Sequence, residues 1–262
     1  VAETGFDPAQ TQDYYSNTII SHIFDAPLRY DFMARPVRLV PNTAAALPEV
    51  SDDFRTFTVR LMPGIFFQDD AAFKGRQREL VAADYVYSIK RVFDPRWKSQ
   101  VLFILEGARI IGVDQVRQRA LKDKQPFDYL RDIEGLQVLD RYTFRVRLER
   151  PNPRFINVLS VANPLGAVAR EVVEMYGDQI MEHPVGTGPF RLAQWTRTLR
   201  IVLVRLWIPE VHQQAIPAVL GEGAIEAPDH LGTCGLIGAH HVAIVILQPR
   251  HHLAPLPVDH FS

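Results

Sequence analysis

The apolar positions of this chain follow two rhythms. In "SNTIISHIFDAPLRYD" Ile19, Ile20, Ile23 and Phe24 recur at helical spacing, with Ser16 or Asn17 as N-cap candidates and Pro27 near the stop. "RTFTVRLMPG" changes to strict alternation: Phe57, Val59 and Leu61 fall on one face, Thr58 and Arg60 on the other, and Pro63-Gly64 makes a turn. "ELVAADYVYSIKRVFDP" predicts a helix with Tyr85, Val86, Ile89 and Val92 on one side, ending before Asp94-Pro95 because proline disfavours helix at the residue before it.

"LQVLDRYTFRVRLERP" reads as two strands joined at Asp140-Arg141, with Phe144, Val146 and Leu148 facing inward. "AREVVEMYGDQI" is a short helix stopping near Gly177, and "GPFRLAQWTRTLRIVLVR" is a second hairpin carrying Phe190, Leu192, Ile201 and Leu203. Helices and strands intermix without regular βαβ alternation, which predicts a mixed α/β fold. No Gly/Ser linker divides residues 1–207; the Pro-rich stretch from Arg35 to Ser51 looks most like a crossing between structural units.

Composition alters this picture at one place. Of 29 Lys and Arg only Arg250 lies beyond Trp207, whereas seven of nine His do: His212, His230, His240, His241, His251, His252 and His260. The apolar run "GLIGAHHVAIVILQ" suits a short strand within this otherwise aperiodic tail. Three readings are open: a small separate domain, marginal at about 55 residues; a histidine-rich metal segment, which lacks HExxH or CxxC spacing; or a tail translated from a shifted frame.

Elsewhere the composition excludes more than it suggests. A formal net charge of −1 gives the whole molecule no electrostatic case for nucleic acid, and no apolar run is long enough to span a bilayer. The chain opens on Val1-Ala2-Glu3 with no secretory leader in view. The single cysteine, Cys234, has no partner for an internal disulfide.

Catalytic groupings are missing from the pattern. Before Trp207 the imidazoles are His22 and His183; Ser16, Ser88 and Ser160 have no GxSxG elbow; Asp52-Asp53 and Asp69-Asp70 sit beside turn signals. "VGTGPF" lacks a phosphate-loop pattern and opens a strand, so its glycines serve close backbone approach or positive φ. What remains is an aromatic and polar set, Phe6, Asp7, Gln12, Asp13, Tyr14 and Tyr15, which suits a binding cleft as well as an ordinary packed segment.

Five motifs in order carry a resemblance: "GFDPA", "IFDAPLRYD", "ALPEVSDDFRTFTVRLMPGIFF", "AADYVYSIKRVFDP" and "GTGPFRL". Over about residues 3 to 205 the chain resembles the family 5 extracellular solute-binding proteins of bacterial ABC transporters, the oligopeptide- and dipeptide-binding type. The resemblance implies part of a type II periplasmic-binding-protein fold: a first-lobe segment (1–45), an accessory α/β subdomain (46–180), a return to the first lobe (181–207) and an unrelated tail (208–262). It implies no catalysis, no cofactor and no metal. Its partners would be a peptide or similar small solute and a membrane permease, with the parent protein periplasmic or anchored to the envelope.

The same resemblance implies that Gln12, Asp13, Tyr14 and Tyr15 line the cleft, pairing backbone with an extended peptide, and that Phe103 to Glu106 approach the ligand. Val81 stands where the family commonly has Thr, removing a capping hydroxyl. Beyond Arg205 the expected Asn-Pro-x-Tyr-like segment and the second lobe, with the acidic residue that holds a peptide's amino terminus, are replaced by "LWIPEVHQQ". That departure favours a truncated or frame-shifted copy with weak or no ligand binding. The alternative is a shortened interaction protein whose tail caps the exposed lobe.

Overall fold

A computed structural model describes residues 3–206 and three strands within 224–225, 234–235 and 243–247. The chain divides into two units, Val1–Arg191 and Leu192–Ser262. The Pro-rich stretch from Arg35 to Ser51 lies inside the first.

In the first unit α1 (Tyr14–Ile23) begins at Asp13, whose carboxylate accepts from the Ser16 N–H. The N-cap is therefore Asp13 and not Ser16 or Asn17 as the sequence suggested: Asp13 is as good a capping residue and stands three residues before the donor it binds. Ile19, Ile20 and Ile23 bury completely. The antiparallel pair β1 (Leu28–Asp31) and β2 (Arg38–Pro41) follows.

A four-stranded antiparallel sheet of order β3-β4-β6-β5 comes next, from β3 (Glu49–Val50), β4 (Thr56–Arg60), β5 (Leu136–Asp140) and β6 (Thr143–Arg147). Phe57, Val59, Phe144 and Val146 are fully buried, as their alternation predicts. Against β5 and β6 packs α2 (Ala82–Phe93), where Tyr85 stacks on Phe144 with ring centres 5.4 Å apart. Val81 gives α2 no side-chain cap; Asp84 compensates by accepting the Val81 N–H at 2.9 Å, half of a capping box.

Five further helices complete this unit: α3 (Leu102–Glu106), α4 (Val113–Asp123), α5 (Phe155–Val158), α6 (Ala162–Leu165) and α7 (Arg170–Tyr176). The sequence reading found α7 and its stop at Gly177, whose φ is +53°, but not α4. Yet α4 buries Val113, Val116 and Ala120, spaced i, i+3, i+7.

Two long-range ties hold the family-like motifs together. Asp7 of "GFDPA" and Arg91 of "SIKRVFDP" form a bidentate pair at 2.8 and 2.9 Å with both side chains wholly buried. The guanidinium lies 4.5 Å from the Trp97 ring, and Gln10 donates to the second Asp7 oxygen at 2.6 Å. Burial opposes the Arg91 charge, but the Asp7 carboxylate outweighs it and holds the guanidinium pKa above its ordinary value.

The second tie is backbone on backbone. Gly188 N–H donates to the Ile23 carbonyl at 2.8 Å, Gln68 N–H to the Gly186 carbonyl at 2.9 Å, and the Thr187 hydroxyl to Asp25 at 2.9 Å. A Cβ on Gly186 would lie 2.0 Å from the Ile23 oxygen, and one on Gly188 2.6 Å from that of His22. Of the two roles the sequence left to these glycines, close approach is the one they fill; neither has positive φ.

The second unit holds a three-stranded sheet of order β11-β8-β7, in which β7 (Phe190–Thr196) begins at the unit boundary and β8 (Arg200–Arg205) carries fully buried Ile201. The short pair β9 (Ala224–Ile225) and β10 (Cys234–Gly235) is antiparallel. β11 (Ala243–Leu247) runs parallel to β8, Ala243 opposite Arg200, so the apolar run of the tail does form a strand. The seven tail histidines and Trp207 lie outside the described residues.

Candidate functional site

Thr11, Gln12 and Asp13 lead into α1, Asp13 with extended backbone as the N-cap, and Tyr14 and Tyr15 open the first turn. Thr11 is buried, Gln12 exposed, and Tyr14 77% exposed. The Tyr14 and Tyr15 rings meet edge to face at 5.8 Å. A large aromatic held in water this way is a surface available for stacking.

The segment is pinned from beneath through its carbonyls. Asn163, buried on α6, donates to the Thr11 carbonyl at 2.6 Å and to the Asn17 side chain; Asn17 donates to the Gln12 carbonyl at 3.1 Å and, through its own N–H, to the Asp13 carbonyl at 3.0 Å. The Gln12 and Asp13 amide N–H groups meet no acceptor among the described residues. Strand addition draws on the free N–H and C=O groups of a backbone edge, and here the Gln12 and Asp13 N–H groups are the ones left to meet a ligand's carbonyls.

Asp13 is anchored as well. Its second oxygen accepts from the Thr4 hydroxyl at 2.6 Å and the Thr4 N–H at 3.3 Å. Burial pushes its pKa up, but these bonds and those from Ser16 outweigh burial and hold it below the ordinary carboxylate value. Stability from Asp13 is therefore present above its unfolded value of about 3.9 and lost as pH falls through the lower folded value. Asp13→Ala should cost about 0.5–2 kcal/mol at neutral pH. Thermal melts of the two proteins should converge as pH falls below the ordinary carboxylate range; a gap independent of pH would contradict the capping role.

The second predicted segment is α3, where Leu105 buries while Phe103, 59% exposed, and Glu106 face solvent three residues apart. Both α1 and α3 pack against α6, which makes α6 the shared support of the two segments. Just upstream of each, Gln10, Arg96, Trp97, Lys98, Gln100, Asp178 and Met181 line an open recess of about 450 Å³. Neither Asn163 nor this recess was legible beforehand, because each is assembled from residues distant in the chain.

The groups weighed for catalysis are engaged structurally. His22 Nδ1 lies 2.6 Å from the Thr18 carbonyl, and the His183 ring stacks on Tyr176 at 3.9 Å. Ser88 donates to the Asp84 carbonyl and accepts from Val168 N–H; Ser160 donates to the Asn157 carbonyl. Asp70 caps the 3₁₀ turn Ala71–Phe73, and Asp53 bonds Ser51 and the Arg55 N–H. Among the described residues no three His, Cys, Asp or Glu come together as metal ligands, and no helix is long and apolar enough to cross a membrane.

The model of the bacterial extracellular solute-binding proteins, family 5 Middle, matches residues 38–206. The chain belongs to this family. A glutathione-binding protein, GsiB, of Pectobacterium atrosepticum is 26% identical over 198 residues, which are 74% of this chain and 31% of that protein. The Salmonella typhimurium GsiB is 28% identical over 196 residues. The chain thus spans about a third of the length of the curated relatives it matches.

Solved structures agree on the fold. OppA of Haemophilus influenzae, in complex with RPPGFSPFR, superposes with a TM-score of 0.64 at 22% identity over 78% of this chain and 36% of that one. OppA of Burkholderia pseudomallei gives 0.61 at 25% identity over the same shares. The family member described here therefore has the mixed α/β fold of part of these binding proteins.

Proposed function

We propose that this chain provides one wall of the ligand cleft in the solute-binding component of an ABC importer for peptides or similar small solutes, in the periplasm or anchored to the envelope, and that it delivers solute to a membrane permease. Family membership carries the general reading. The Thr11–Asp13 segment, held in place by Asn163 and Asn17 and with two N–H donors free of partners among the described residues, supports the site. On this reading 1–45 and 181–207 are the first-lobe segments and 46–180 the accessory subdomain, as the resemblance implies. Gln12, Asp13, Tyr14, Tyr15, Phe103 and Glu106 face the ligand. Binding is the activity proposed.

A wall touches an extended ligand from one side only. If the facing side of a closed cleft supplies about four net hydrogen bonds at roughly 1 kcal/mol each, one wall binds about a thousandfold more weakly. Isothermal titration against mixed di- to pentapeptides should show affinity near millimolar. A micromolar heat would overturn the one-wall reading.

The pairing of β11 with β8 favours a second reading, in which the tail covers a sheet edge and the chain acts as an interaction protein. Ending the chain after residue 207 would then convert a monodisperse protein into a self-associating one.

A further inference from the structure

The turn between β1 and β2 exposes a run that the binding function does not use. Phe32 is 60% exposed, Met33 78% and Val37 48%. Apolar side chains presented together at a turn mark a contact surface. The turn is also built to hold them there. Asp31 accepts the N–H groups of Met33 and Ala34 at 3.1 and 3.2 Å, and Arg35 donates to the carbonyls of Phe32 and Ala34 at 2.6 and 3.0 Å. The Phe32 ring rests 5.9 Å from that of Tyr30.

Charge says what the apolar tip meets. Residues 28–41 contain three Arg, at 29, 35 and 38, against the single acid Asp31. Arg38, whose side chain is 70% exposed, lies 3.5 Å from Asp31, and Arg35 is exposed beside the tip. Leu130 offers a contrast: it is 81% exposed but stands between Asp128 and Asp132. An aromatic and a thioether at the apex, with guanidinium groups behind them, match the layering of a lipid interface, acyl chains below phosphates.

We infer that this hairpin docks on an anionic phospholipid surface, Phe32 and Met33 entering the headgroup boundary and Arg35 and Arg38 meeting phosphates. The contact is local and does not depend on net molecular charge, because surface potential acts within about a Debye length. It uses none of the residues named for the ligand wall and would hold the carrier at the membrane to which it delivers solute.

Co-sedimentation of the full 262-residue chain with phosphatidylcholine vesicles, with and without about 30% phosphatidylglycerol, tests this. Binding should be about tenfold stronger with the anionic lipid and should fall at high salt. Phe32→Ser/Met33→Ser and Arg35→Gln/Arg38→Gln should each reduce it about tenfold, whereas Leu130→Ser should not. Hydrogen exchange on the unmodified chain gives a reading without substitution: amides 32–37 should slow on anionic vesicles. No anionic preference, or binding without protection of these amides, overturns the inference. So does protection that appears without lipid as protein concentration rises, which assigns the tip to a second copy.

Discussion

Asp7→Ala is expected to destabilise the first unit by about 3–5 kcal/mol, because it leaves the Arg91 guanidinium charged, wholly buried and without its carboxylate. The loss exceeds that of an exposed pair such as Arg60–Glu49, worth about 0–1 kcal/mol. The pair is not itself strong evidence of net stabilisation, since desolvating two charges offsets their attraction. The Trp97 ring keeps one face of Arg91 against a π surface, and the Arg91 Nε has no hydrogen-bond partner among the described residues. A double replacement, Asp7→Leu with Arg91→Met, should therefore recover most of the loss. Urea midpoints for the two single variants and the double give the coupling; additive losses would show that the two residues act separately.

Gly186→Ala should cost about 3 kcal/mol or more, or prevent folding. The new methyl would stand 2.0 Å from the Ile23 carbonyl oxygen, and both partners are backbone: Ile23 ends α1, and Gly186 accepts from Gln68. No rotamer change relieves such an overlap, so α1 must separate from the "GTGPF" strand entry. Gly64→Ala is the useful comparison. There a Cβ meets nothing within 4 Å and the strain is only that of a φ of +82°, for which about 1–2 kcal/mol is expected. Equal melting shifts for the two variants would refute the close-approach account.

These two ties show what the motifs do in the fold. For "GFDPA" the sequence left a binding cleft and an ordinary packed segment open; Phe6 and Asp7 are buried, the acid spent on Arg91, so they take the second role. "GTGPF" is glycine-rich for packing. The alternating strands were legible because one buried face enforces period two, and the sheet pairs Phe57 with Val146 and Val59 with Phe144. By contrast α4 was missed where three small apolar positions are scattered among Arg, Gln, Lys and Asp, and α5 and α6 are single turns set by tertiary contact.

Beside the candidate site, local rules started α1 about a turn too late. Placing the N-cap at Asp13, whose backbone is extended, makes Tyr14 and Tyr15 helical and leaves Gln12 ahead of the helix. The support beneath them, Asn163, is 152 residues from Thr11 in the chain, and no periodicity links the two.

The central claim is that the exposed Gln12–Tyr15 segment and the face of α3 receive an extended peptide, and amide shift mapping of the labelled chain addresses it directly. Titrated with mixed tri- to pentapeptides to millimolar concentration, the chain should show its largest changes at Gln12, Asp13 and Phe103 to Glu106, with the Gln12 and Asp13 amides moving downfield as they gain acceptors. Shifts confined to other surfaces, or none at these amides at saturating peptide, would contradict the account.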